Sequence, residues 1–472
     1  MRIDRLGDLG SADAVLSALH HRSARSGLAP PAALTGNWFD SRAVLAPSVR
    51  AVAHPPASAF DVAMAGPAAP ATPTAPRPVV GGGWIGYLGY PDRSVASGAA
   101  EPSLPSAAGG WTDCVLRQDQ AGCWWYESLT GVPCPAELRA AVEPDPPTGD
   151  ARETTARDGT AHREPAQWHI GWTPPDRAAH RRGVEACLEA IRAGEVYQAC
   201  VCGRFGGRYR GEPLGFFVDA VRSSSPARAA WVAGEWGAVA SLSPELFLAR
   251  RGEQVRSSPI KGTLPLSADP ARLRASVKDV AENVMIVDLV RNDLGRLALP
   301  GSVTVRELLS VHPAPGVWHL VSTIAAAVPE QVGNAGLLAA TFPPASVTGT
   351  PKHRARQLLS EWEPEHRGVY CGAVGMASPL AGLELNVAIR TVEFAPDHPG
   401  ADTGTVGLGV GGGITIDSDP AAEWQECLDK AASILGVSCS AVPLSPAEPP
   451  APPRTVPAWT PRPRRQRSRT RP

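Results

Sequence analysis

Long apolar runs are missing from this 472-residue chain: no 18 consecutive apolar residues occur, so no membrane-spanning helix is expected. The amino-terminal MRIDRLGDLG has no apolar stretch of the kind a secretory leader carries. Net charge is nearly absent too. Lys plus Arg number 45 and Asp plus Glu 46, leaving −1, and so balanced a chain has no field to gather nucleic acid or a membrane surface. None of the nine cysteines forms a CxxC pair, and their odd number and scatter fit reduced thiols better than a disulfide frame. A cytoplasmic protein without membrane or nucleic-acid partners is the expectation. A phosphate loop is also lacking, because the glycine run VGLGVGGG is not followed by GK[ST] and opens no dinucleotide-binding helix.

What is present suffices for a core: 43% of residues are hydrophobic, and the length allows one large domain or several small ones. Residues 1–134 read as a lighter N-terminal subdomain, with a Pro/Ala-rich loop from His54 to Pro78 and a hairpin over Trp111 to Leu129. The polar stretch 135–165 reads as a linker, and 166–440 as the denser main domain. The Pro-rich end, 441–472, holds seven arginines from Arg454 onward and reads as a disordered basic tail. In VYQACVCGRFGGRYR, Cys200 and Cys202 share one face of a strand as small buried hydrophobes. Thr350 and Pro351 suit the N-cap and first position of a helix.

The chemistry gathers on two helices. SVKDVAENVMIVDLVRNDLGRL, Ser276 to Leu297, is expected to bury Val277, Val280, Ala281, Val284 and Val287 along one side, while Asp279 and Glu282 lie three apart on a neighbouring side. One such acidic pair is ordinarily a solvated face. The last helix, however, repeats it with Glu423 and Glu426. If the helices meet, each like-charge contact at 4 Å costs about 1 kcal/mol in water and several in a partly buried cleft, which a divalent cation would relieve. Oxygen-only donors suit Mg²⁺. Lys261, between Ile260 and Gly262, would offer a neutral amine as nucleophile or base if desolvated. Arg390 in the alternating LELNVAIRTVEF calls for a carboxylate or phosphate. Amides of Thr348 and Gly349 in the TGTP loop, and of Gly411, Gly412 and Gly413, could donate to a second carboxylate. His319 could act as a general acid, although a histidine between apolar neighbours is often simply core.

YQACVCGRF, SLSPELFL, PIKGT, KDVAENVMIVDLVRNDLG, VWHLVSTI, TGTPKHRA, YCGAVG, LNVAIRT, GGGITIDSDP and EWQECLDKAA follow one another in an order that closely resembles the chorismate-utilising family over residues 165 to 440. That family includes the large subunits of aminodeoxychorismate synthase and anthranilate synthase, and isochorismate and salicylate synthases. The resemblance implies an α+β fold of two packed, mostly antiparallel β-sheets with helices outside. It also implies Mg²⁺ bridging chorismate to Glu282 and Glu426, with Asp279 and Glu423 supporting through water. Arg390 and Gly411 to Gly413 would hold substrate carboxylates, and His319 and Glu245 would assist departure of the C4 hydroxyl. Isochorismate-type members resemble one another in a lysine where this chain has Gln198, which argues against hydration. PIKGT resembles the aminodeoxychorismate subunits, in which Lys261 would attack C2 and ammonia from a separate glutaminase subunit would then enter at C4, giving 4-amino-4-deoxychorismate. Anthranilate synthesis is the same-fold alternative. A non-catalytic chorismate-binding scaffold is another, prompted by departures from the family pattern at Leu264, Pro344 and Met376.

Overall fold

A computed structural model describes residues 1–63, 78–92, 103–143 and 168–437. The basic tail, most of the 135–165 linker and most of the His54–Pro78 loop lie outside the described residues. At the start of that linker, Ala136–Val142 forms a helix that buries Leu138 and Val142.

Strands assemble into a 12-stranded and a 10-stranded sheet, and every recorded pairing is antiparallel. Residues 1–134 extend both sheets. Ala32–Trp38 pairs with Arg228–Gly234 in the first sheet, and Gly83–Leu88 pairs with Ala373–Ser378 in the second. All six residues of Gly83–Leu88 are buried, as befits a strand covered on both faces. Ala32, Leu34, Val44, Ile85, Tyr87, Val374 and Met376 form a core between the sheets. A second core packs the helices Ala12–Ser26, Pro213–Ser224 and Pro420–Leu435 on the first sheet, and a third packs Val277–Gly295 and Asn334–Thr341 on the second. This is the α+β, two-sheet arrangement with helices outside. Arg228 of one sheet meets Glu384 of the other at 3.0 Å, both buried, and Asn386 donates to the Arg228 carbonyl and the Ser241 hydroxyl across the same gap. Paired in this way, neither buried charge is left uncompensated where the sheets meet.

The chain passes between the sheets at two points that matter below. Pro244 and Glu245 join Gly237–Ser243 of the first sheet to Leu246–Arg251 of the second. Residues 388 to 390 return from Gly382–Val387 to Thr391–Pro396. The crossings are tied together, the Val387 amide donating to the Glu245 carbonyl and the Leu242 amide to the Arg390 carbonyl. Arg390 therefore lies between strands rather than within one, at φ 50°.

The helix over 276–297 forms as Val277–Gly295, with the Ser276 hydroxyl accepting from the Asp279 amide. Its buried side differs from the expected apolar stripe. Val277 is 83% exposed and Val284 45%, whereas Glu282, Asn283, Ile286, Val287, Leu289, Val290, Asp293 and Leu294 are buried. The polar members of that face have built partners: Asn283 donates to the Leu320 carbonyl and accepts from Ser322, and Asp293 receives the Lys352 ammonium. At the helix Lys352–Trp362, Pro351 rather than Thr350 occupies the cap position, without a side-chain cap. Among the described residues no helix is long and apolar enough to cross a membrane.

Candidate active site

The two crossings, the strand Ile260–Pro265 and the two acidic helices enclose a cavity of about 780 Å³. Its size suits a small organic ligand.

Lys261 owes its direction to a bulge. Ile260 pairs with Val321 and Thr263 with His319, so the strand carries one extra residue there, and Gly262 takes φ 82° against Asp279. The Lys261 ammonium donates to the Ser346 carbonyl at 3.0 Å and lies 3.8 Å from Glu282. Ser346 is held there by Lys352, which donates to the carbonyls of Thr341 and Pro343, and by Arg367, which donates to that of Val347.

Glu245 faces Lys261 from the first crossing. Burial pushes its carboxyl up to about 7, while the Ser346 hydroxyl, the Lys261 charge and the Ile260 amide pull it partly back. It therefore exchanges a proton near neutrality. Burial, assisted by the Arg390 charge, drives His319 down to about 4, leaving a neutral imidazole whose Nδ1 lies 2.9 Å from the Thr263 hydroxyl. Arg390 lines the cavity with no side-chain partner among the described residues, and burial alone lowers its otherwise very high pKa. An unpaired guanidinium held this way is a receptor for an anion.

The glycine strand Thr403–Ile414 makes room for charge. It pairs with Thr391–Pro396 only as far as Leu408, so one edge of Gly409 to Ile414 is left without a strand beside the cavity. A Cβ at Gly413 would stand 2.8 Å from Glu282 Oε2 and 3.1 Å from Gln198 Oε1, and one at Gly412 would stand 3.1 Å from Glu423 Oε2. The Gly413→Ala variant should therefore lose about tenfold to a hundredfold in kcat/KM through displacement of Glu282, with little change in melting temperature; assays of rate and thermal unfolding check both.

Glu282, Glu423 and Glu426 converge, but around an ammonium. Lys278 lies 2.7 Å from Glu423, 3.7 Å from Glu426 and 3.9 Å from Glu282. Lys430 joins Glu426 at 2.8 Å and donates to the Gly411 carbonyl. Burial raises the Glu282 pKa against the pull of Lys261 and Lys278, whereas for Glu426 the lysines outweigh burial and the shift is downward. Asp279 packs against Gly262 and lines the same cavity, with no recorded side-chain contact to this group. Among the described residues no three His, Cys, Asp or Glu side chains stand close enough together to hold one metal ion as they are placed. Even so, the donor set suits a hard cation: the oxygens come from two helices, and Glu423 Oε2 is buried without a partner.

Thr348 and Gly349 do not line the cavity. The Thr348 hydroxyl is fully buried and donates to the Pro344 and Ala345 carbonyls, and Gly349 lies against Gln198 and Ala199. Gln198 is buried, its Oε1 unpartnered and close to Gly413. Met376 belongs to the core between the sheets, so its departure from the family pattern does not touch the cavity. Ser346, Lys278 and Lys430 line the cavity and were not singled out from sequence. The one local hint was their spacing, since Lys278 and Lys430 each stand four residues from an acidic partner, Glu282 and Glu426.

A family profile described as chorismate binding enzyme matches residues 41–436. Aminodeoxychorismate synthase component 1 of Klebsiella aerogenes is 41% identical over 275 residues, 57% of this chain and 59% of that protein. This chain spans only 54% to 60% of the length of three such relatives. Anthranilate synthase component 1 of Streptomyces coelicolor is 33% identical over 386 residues, 75% of this chain and 72% of its own. The solved anthranilate synthase component I of Streptococcus pneumoniae shares the fold, with TM-score 0.61 at 23% identity over 81% of this chain and 85% of that one. The profile covers the second sheet, most of the first, both acidic helices and the residues that line the cavity, and the chain belongs to the chorismate binding enzyme family.

Proposed function

We propose that the cavity converts chorismate and ammonia into 4-amino-4-deoxychorismate in the cytoplasm, with the ammonia supplied by a separate glutaminase subunit. The observation that carries this reading is Lys261, aimed by its bulge into the same cavity as the unpaired Arg390 and the carboxylate cluster. The similarity to relatives named aminodeoxychorismate synthase component 1 supports it.

Arg390 and the open edge of Gly409 to Ile414 take carboxylate groups of the substrate. Glu282 and Glu426, backed by Glu423, are the residues that would hold Mg²⁺, which when bound neutralises the ring carboxylate and so favours attack at the adjacent carbon. Lys261, as its neutral amine, bonds to C2; the ring double bonds shift, and the C4 hydroxyl leaves as water with a proton from Glu245. Ammonia then bonds to C4, the double bonds shift back, and the Lys261 nitrogen leaves C2. Two moderate steps replace one difficult substitution. Gln198 is no base, so water is not activated and hydration is not favoured. Neutral His319 orients a hydroxyl by hydrogen bonding rather than donating as an imidazolium.

Incubation with chorismate, Mg²⁺ and ammonium, followed by the lyase that releases 4-aminobenzoate, should yield 4-aminobenzoate. The likeness to the Streptomyces coelicolor protein favours a second reading, anthranilate synthesis. Anthranilate as the sole product would establish that reading and dismiss the first.

A further inference from the structure

The carboxylate cluster already holds a cation of the protein's own. Glu423 Oε1 accepts from both Lys278 Nζ and Ser418 Oγ, while the same ammonium stands within 4 Å of Glu282 and Glu426. Lys430 and Lys261 sit at the outer sides of Glu426 and Glu282, so three carboxylates are matched by three ammonium groups. Of these, Lys278 alone is close to all three carboxylates, bridging the two helices. An ammonium and a divalent ion cannot share the middle of the cluster, because their like charges would meet at contact distance in a partly buried site. The Lys278 side chain is 35% exposed and lines the cavity, so it has somewhere to go. Glu423 is 2% exposed, and its orphaned Oε2 gains a partner if a metal or its water arrives.

We propose that Lys278 is an exchangeable counter-ion: its ammonium bridges the two acidic helices, and a divalent ion binds by displacing it toward the cavity. Metal affinity is then set by competition within the chain. It rises with an anionic substrate, which both adds a ligand for the metal and gives the displaced ammonium a new partner. This inference rests on the metal reading given above, and extends it to a positioning residue that does not touch the reacting atoms.

The test measures Mn²⁺ binding to the full chain by electron paramagnetic resonance, and Mg²⁺ binding by calorimetry, without chorismate. K278M, which keeps the bulk and removes the charge, should bind either ion about tenfold or more tightly than the unmodified protein. K278R, which keeps the charge, should bind like the unmodified protein or more weakly. Without metal, K278M should melt at lower temperature, and added Mg²⁺ should raise its melting temperature further than it raises that of the unmodified protein. If K278M does not fold without metal, refolding all three proteins with Mn²⁺ and titrating with a chelator gives the same comparison. Equal or weaker binding by K278M overturns the exchange and leaves the metal reading intact. No binding by any of the three, with or without chorismate, overturns both.

Discussion

Replacing Lys261 with alanine should lower conversion of chorismate and ammonium by about a thousandfold or more, because removal of a covalent nucleophile abolishes a step rather than weakening a contact. The geometry favours a nucleophile over a purely electrostatic lysine. A lysine serving only as counter-ion to Glu282 would close on that carboxylate. Lys261 instead stands 3.8 Å from it and donates to the neutral Ser346 carbonyl. Glu245, whose carboxyl burial pushes up to about 7, lines the same cavity. The fold should tolerate the change, since the variant loses one hydrogen bond worth about 1 kcal/mol and the 3.8 Å contact with Glu282 but no core contact. Mass spectrometry provides a second readout. With chorismate but no ammonia, the unmodified protein should gain the mass of chorismate less water, and K261A should gain nothing. Full activity in K261A, or an adduct on another residue, would remove Lys261 from the role.

The carboxylates proposed to hold the metal could be picked out in sequence because helical spacing is local: two acidic pairs at i, i+3 announce themselves without any knowledge of the fold. What spacing could not supply was the side of the helix that is buried. Val277 and Val284 look like core and lie exposed, while Asn283 and Asp293 look like surface and lie inside. The difference arises because a buried polar group costs little once it meets a partner, and the partners here, Ser322 and Lys352, come from 39 and 59 residues further along the chain. The same reasoning covers Lys278, which beside Asp279 reads as one more solvated charge until the second acidic helix closes over it. Arg390 was expected to call for an anion from its place in the alternating LELNVAIRTVEF, and the structure does set it in the cavity, but not in a strand: the apparent strand breaks at residues 388 to 390 because the chain changes sheets there. Residues 1–134 looked separable because composition thins after them, yet strand pairing is non-local, and they complete both sheets.

The second large effect concerns Glu245, where activity and stability should move in opposite directions. Glu245→Gln removes the proton donor for the departing hydroxyl and should cost about a hundredfold to ten-thousandfold in turnover. In the native chain burial holds this carboxyl at about 7, whereas an unfolded chain ionises it near 4.5. Between those values the unfolded state binds fewer protons than the native one, so stability falls as pH rises, and above about 7 the whole penalty, up to about 3 kcal/mol, is in force. Glutamine keeps the shape and the hydrogen-bonding groups and cannot ionise. E245Q should therefore melt higher than the unmodified protein at pH 8 and within a degree or so of it at pH 4.5, where the native carboxyl is already protonated. Thermal unfolding at both pH values, run beside the rate assay, separates this from a merely structural role: a glutamate that only packs would lose stability at both pH values when replaced. A gain confined to the higher pH, together with the loss of turnover, is the mark of a carboxyl held partly protonated at the expense of the fold for the proton it delivers.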